Sequence, residues 1–295
     1  MDFFFLSLVV AGISVGAVYA LIALGLNLTF WTTRTLNFGQ GSLMMLCAML
    51  TVFLSVQGLP MAAAVIGSLV VVGLFGALVE RFAVRPALRT SGSMGWVVST
   101  LGVGIFLQGV AARYFGSQAV AFPEIMFTSQ DFIAVGGLRV SLQYALIFAL
   151  STSLIVLLEL FVRRTVWGHA LRAVSLDSEL SLVQGIPVRL VVVSSFVASS
   201  VLAGIAGILV AQIGGTVDPA FGFDLVLFGF VAAVLGGMGS SFGALAGGVV
   251  VGVVSELVGG YISTSAEHAI AFSLLMGMLA LRPRGLFGRA EISKA

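Results

Sequence analysis

Residues 225–255, LVLFGFVAAVLGGMGSSFGALAGGVVVGVVS, run for 31 positions without an Asp, Glu, Lys or Arg. A charge at the centre of a bilayer costs roughly 2.5–3.5 kcal/mol on insertion scales, and about 20 apolar residues cross the hydrocarbon layer as a helix. Working outward, residues 3–33, 35–79, 140–158 and 190–217 are equally free of charge. The 295-residue chain is 59% hydrophobic and 9% charged, with a mean hydropathy of +1.17. An average soluble domain is about 25% charged. The chain is therefore predicted to be an all-α polytopic integral membrane helical bundle solvated by membrane lipid. An outer-membrane barrel would instead show alternating segments of about 10 residues.

Candidate spans lie near 4–30, 41–57, 60–80, 95–115, 140–162, 190–213, 223–238, 240–260 and 265–282. The second and seventh are short, so the count is 8–9, within a single transmembrane domain over 1–295. Eleven of the fourteen basic residues fall in three patches: Arg81/Arg85/Arg89, Arg163/Arg164/Arg172/Arg189 and Arg282/Arg284/Arg289/Lys294. Two and then four spans separate these patches, so all three can face the cytoplasm under the positive-inside rule, with a cytoplasmic C-terminus. The loops expected opposite carry Glu124, Asp131, Asp218 and Glu267. The N-terminus is non-cytoplasmic if all three early segments cross. Met1-Asp2-Phe3 lacks the basic start of a cleaved signal peptide, so the first span is expected to stay. The net charge of +2 does not point to nucleic acid, because the basic residues sit at the ends of apolar segments. The lone Cys47 can form no internal disulfide.

Between the clean runs lies a polar island, residues 163–189, with six charges in 27 residues. Asp177 suits a helix N-cap and Glu179 the first turn, where the helix dipole favours an anion. Gly185 suits the position past the C-terminus, and Pro187 ends the helix. Leu176, Leu180 and Val183 share one face, and residues 167–175 form a second short amphipathic piece with Arg172 on its polar side. Two short helices with an exposed apolar face make a knob that fits a groove on another protein. The alternative is a solvated loop packed on its own spans.

Gly239, Gly243 and Gly247 form a small-xxx-small stripe continued by Gly248 and Gly252, read as helix packing. Gly12/Gly16/Ala20 and Ala203/Gly207/Ala211 are two more. Residues 236–239 are not a phosphate loop, since that motif needs Gly-Lys-Ser/Thr and the one lysine is Lys294. The two histidines, His169 and His268, belong to no cluster with metal-ligand spacing, and no nucleophile elbow is present. Asn27, Asn37, Gln40 and Gln108 lie in apolar surroundings; they either hydrogen-bond between helices or line a polar path. Gly39 and Gly41 would let a helix break there and expose backbone to a cavity. Glu256 is either a buried hydrogen-bonded acid or a proton relay.

An ordered set of motifs resembles the permeases of branched-chain amino acid ABC importers, specifically the shorter of the two paired types. These are residues 19–25 with Leu36-Asn-Phe-Gly-Gln-Gly41; Glu80-Arg81 with Arg85-Pro-Ala-Leu-Arg89; Gly168-His-Ala-Leu-Arg-Ala173 with Asp177 and Gly185-Ile186; Leu235-Gly-Gly-Met-Gly-Ser240; and Arg282-Pro-Arg-Gly-Leu-Phe-Gly288. The chain departs from some members at Ser42, where an acid can follow the glycine. The resemblance implies a heteromeric importer in a bacterial inner membrane. A second permease, paralogue or self copy, would share the path. Separate ABC ATPase subunits would use the ATP, and a periplasmic substrate-binding protein would deliver the cargo. It also implies cytoplasmic coupling helices between spans 5 and 6, with Leu171, Arg172, Asp177, Glu179, Leu180, Val183 and Gly185 as the coupling element. The possible path residues are Asn27, Asn37 and Gln40. No cofactor or catalytic site is expected in this chain. Relatives of this type also carry urea, short amides and other small molecules. The rivals are an ion-coupled secondary transporter using Glu256 and, less favoured, a membrane-embedded enzyme, for which no catalytic cluster is seen.

Overall fold

Long apolar runs punctuated by capping residues become helices because a backbone in lipid must satisfy its own hydrogen bonds. In chain order these are α1 (Asp2–Thr33), α2 (Gln40–Val56), α3 (Met61–Val79), α4 (Arg85–Arg89), α5 (Gly95–Phe115), α6 (Leu142–Arg164), α7 (Val166–Leu176), α8 (Ser178–Val183), α9 (Val188–Gly214), α10 (Phe221–Gly236), α11 (Ser241–Tyr261) and α12 (Thr264–Leu281). The structure, a computed structural model, describes residues 2–89, 94–125, 132–135, 138–282 and 285–288. Among these residues seven helical segments are long and apolar enough to cross a membrane, while α2 and α10 are apolar but shorter. Each of the nine apolar segments read from the sequence corresponds to one of these helices. Arg284, Arg289 and Lys294 of the third basic patch, and Asp131, lie outside the described residues.

The chain forms two compact units, each assembled from segments distant in sequence. One gathers Met1–Asn27, Phe127–Val156 and Leu227–Ala295, and the other Leu28–Met126 and Leu157–Val226.

In the first unit, glycines bring backbones together. A methyl group on Gly12 would lie 2.6 Å from the Val253 Cα, and one on Gly16 would lie 2.7 Å from the Val249 Cα. The α1 stripe therefore interlocks with Gly248 and Gly252 of α11, while Gly243 and Gly247 meet Gly236 and Ala232 of α10. The small-residue stripes thus join helices by close backbone approach. Beyond α12, the Leu286 and Phe287 amides donate to the Leu235 and Gly236 carbonyls at 2.9 and 3.0 Å. These bonds satisfy the end of α10, whose last carbonyls have no partner within the helix. A short hairpin pairs β2 (Phe132–Val135) with β3 (Leu138–Ser141).

In the second unit, α2, α3 and α9 pack against one another and α5 lies on α2. Gly207 lets α9 approach the Met44 backbone, with an added methyl 2.6 Å from the Met44 carbonyl oxygen. Phe196, Leu43, Met44 and Met45 are fully buried. The Thr51 and Ser68 hydroxyls meet at 2.7 Å between α2 and α3, and the Cys47 thiol lies against Ser68. Residues 80–89, which carry the first basic patch, continue the helix. A π turn (Glu80–Val84) leads into α4, where Pro86 removes a backbone donor and disturbs the regular ladder. Arg85 holds the buried Glu80 carboxylate with both Nε (3.0 Å) and Nη2 (2.6 and 2.8 Å). A two-residue ribbon pairs β1 (Val120–Ala121) with β4 (Thr216–Val217).

Candidate functional site

The helical path breaks after Thr33. Arg34 adopts a left-handed conformation with φ of +56° and its amide still caps the helix at the Phe30 carbonyl, 2.9 Å away. Asn37 then closes a tight turn. Its Oδ1 accepts the Gly39 amide at 3.1 Å, and its carbonyl accepts the Gln40 amide at 3.1 Å. Such an Asx turn offers the backbone a local alternative to the helix, which is why Asn ends one here and starts another. Gly39 is required because a Cβ would lie 2.9 Å from the Thr100 carbonyl oxygen of α5. The break therefore spans residues 34–39, and Gly41 belongs to the first turn of α2.

Two side chains of this element face the protein and two face a hollow. Gln40 is fully buried and its Oε1 accepts the Ser199 hydroxyl of α9 at 3.3 Å. Asn37 is buried, and its Nδ2 has no hydrogen-bond partner among the described residues. Phe38 stacks on Trp96 with centroids 6.3 Å apart, and Ser42 Oγ donates to the Gly104 carbonyl at 3.0 Å. Phe38 and Ser42, with Leu101, Gly104 and Gln108 of α5 and residues 219–223, line a cavity of about 250 Å³. That is roughly the space of eight waters at about 30 Å³ each. Its lining holds no charged side chain. Hydrocarbon walls with a hydroxyl and an amide suit a small solute with an aliphatic part and a hydrogen-bonding head.

Asn27 stands elsewhere. It belongs to the first unit, fully buried, and its Oδ1 accepts the Gly239 amide at 3.2 Å. Gly239 has φ of +94° and sits in the α10–α11 turn, not on the helical stripe with Gly243 and Gly247. The helix starts later because Ser240 caps it, its Oγ accepting the Gly243 amide at 3.0 Å. The structure thus brings Asn37 and Gln40 together and places Asn27 on a glycine turn.

The polar island folds as two capped helices. Thr165 Oγ1 accepts the Gly168 amide to start α7, and Asp177 Oδ1 accepts the Glu179 and Leu180 amides at 3.1 and 3.0 Å to start α8. At the end of α8 the Gly185 amide donates to the Leu182 carbonyl and the Ile186 amide to the Ser181 carbonyl, both at 3.0 Å. With Gly185 at φ of +80°, this is a Schellman cap. Leu171 and Val174 turn inward, so Leu171 does not share the outer face. Leu176, Leu180 and Val183 are 83, 55 and 84% exposed, and Arg172 and Glu179 are exposed beside them. Arg34, which spacing does not single out, donates from Nη2 to the Ser175 carbonyl near the end of α7 at 3.1 Å.

The family described as "Branched-chain amino acid transport system / permease component" matches residues 8–281. The chain belongs to this family. It is 32% identical to the high-affinity branched-chain amino acid transport system permease protein LivH of Salmonella typhimurium, covering 99% of this chain and 98% of that one. It is likewise 32% identical to the corresponding protein BraD of Pseudomonas aeruginosa, over 98% of each. A chain of PsaBC from Streptococcus pneumoniae, solved in complex with Fab, shares the fold with a TM-score of 0.51 at 14% identity, over 95% of this chain and 92% of that one. This multi-pass transport permease of the branched-chain family carries its cavity and its exposed two-helix knob within one unit.

Proposed function

We propose that this permease forms one side of the translocation path of an ATP-driven importer in a bacterial inner membrane. Its cargo is a branched-chain amino acid, or a solute of similar size and polarity such as a short amide. Leu176, Leu180 and Val183 dock into a groove of a separate ATPase subunit, flanked by Arg172, Asp177 and Glu179, with Leu171 and Gly185 holding the helices in place. Burying such side chains stabilises a complex by roughly 1.5–3 kcal/mol each. A second permease, paralogue or self copy, completes the path, and a periplasmic binding protein delivers the cargo. The basic patches and the C-terminus face the cytoplasm, where the ATPases bind. Nucleotide binding and hydrolysis belong to the ATPase subunits. ATP binding shifts the permease between inward- and outward-open states through differential contacts at the knob.

One observation carries this reading: three large apolar side chains stand exposed on a doubly capped helix pair. In support, the relatives matched over their full length are named as amino acid transport permeases. The cavity lining also has the hydrocarbon and hydrogen-bonding character that such a solute needs. The test is purification from native membranes followed by uptake in vesicles. An ATPase is expected to copurify, and leucine or a related solute is expected to accumulate only when ATP and that subunit are present. Concentrative uptake by this chain alone would overturn the proposal.

A further inference from the structure

Arg34 joins two elements that no sequence motif connects. Its guanidinium lies 5.6 Å from the Phe30 ring centroid and reaches the Ser175 carbonyl, 141 positions later, at 3.1 Å. The carbonyls of the last helical turn lack intrahelical partners and carry the negative end of the dipole, so a cation is favoured there. On its other side Arg34 leads directly into the turn at 35–39. There Gly39 abuts the Thr100 carbonyl, and Phe38 and Ser42 line the cavity. The run from the cation to the cavity wall contains two short-range constraints, the Thr33–Thr35 hydroxyl bond of 2.7 Å and the Asn37–Gly39 turn. A push on α7 therefore reaches a short, internally bonded segment rather than a slack loop.

We propose that Arg34 is the strut by which movement of the coupling helix α7 reaches the cavity wall. This rests on the docking of α7 and α8 to an ATPase. Arg34 is not among the residues that line the cavity, so it acts by positioning: it holds the 35–41 segment in step with the end of α7. Without the strut, ATP hydrolysis continues while the wall no longer follows.

The assembled transporter in lipid provides the test, read as solute moved per ATP hydrolysed. Arg34→Met is expected to lower that ratio about tenfold, the scale of one lost charge-assisted hydrogen bond, with ATPase rate and thermal stability near wild type. Arg34→Lys retains a cation that reaches the same carbonyl and is expected to keep most of the coupling. A wild-type ratio in the methionine variant would overturn the strut. Hydrogen exchange on the unmodified complex gives an answer even if that variant does not assemble. Adding ATP is expected to change protection in α7 and in residues 35–41 together. A response in α7 with none in 35–41 would overturn the strut and leave the docking reading standing, whereas no response in either would remove both.

Discussion

The Ser42 hydroxyl bonds to the Gly104 carbonyl across 3.0 Å, tying the first turn of α2 to the middle of α5 along the cavity wall. Removing the hydroxyl with Ser42→Ala costs about 0.5–1.5 kcal/mol, because the carbonyl is left to other partners. Uptake is then expected to fall less than about tenfold. Gly104→Leu acts differently. A Cβ there already lies 3.1 Å from Ser42 Oγ, so the rest of the side chain must occupy the hollow. Transport is expected to vanish at normal membrane abundance. Wild-type uptake by the leucine variant would place the path elsewhere.

Asn27 and the Gly239 amide form a pair within the first unit. Asn27→Leu removes the acceptor of this part-buried hydrogen bond, at a cost of about 0.5–1.5 kcal/mol. The melting midpoint of the detergent-purified protein should drop, with the substrate range unchanged. An altered substrate preference would give Asn27 a role in the path.

The two-helix knob separates fold from function. Asp177→Ala removes a cap at about 1 kcal/mol, and Gly185→Ala forces a left-handed alanine at about 1–2 kcal/mol. Both should raise amide exchange in α8. Leu180→Asp alters a side chain that is mostly exposed, so exchange should stay as in wild type while substrate-stimulated ATPase activity is lost. An aspartate variant with normal stimulation would take Leu180 out of the docking face.

Glu256 is partly buried in α11. If ATP drives uptake, Glu256→Gln keeps the carboxylate's shape and should leave ATP-dependent accumulation unchanged between pH 6 and pH 8, a window of about one unit on each side of neutral. Loss of uptake in that variant would revive proton coupling.

Gly252 sits where α11 meets Gly12 and Gly16 of α1. Gly252→Leu pushes these backbones apart, and overpacking of this kind costs about 1–3 kcal/mol or more. The expected result is a poor yield of monodisperse protein, read by size exclusion. Normal yield would show that the helices can separate cheaply.

What could be read from sequence was local or periodic. Asp177, Gly185 and Pro187 announce the ends of α8 because capping chemistry lies within four residues of each end. The apolar runs announce their helices because lipid leaves the backbone no other solution. The stripe at Gly12, Gly16 and Ala20 shows that α1 packs closely, but not that its partner is α11. Gly239 shares the spacing of Gly243 and Gly247, yet its positive φ puts it in a turn, and spacing carries no dihedral information. Residues 80–89 carry four charges, which by themselves do not announce a helix. Arg85 neutralises Glu80, so the helix continues. The cavity was invisible because α2, α5 and residues 219–223 meet only after folding. Arg34 carries no sequence signal, since its partner is a distant backbone carbonyl with no side-chain signature.

Asp177 ends α7 and begins α8 with a single extended residue, φ −158° and ψ 107°. Such an elbow is built from the main chain and one carboxylate, leaving the outward residues at 176, 180 and 183 free to vary. On the proposed docking, a few surface substitutions rewrite which motor the knob accepts without reworking the scaffold. Exchanging those residues between two related permeases should make each accept the other's engine.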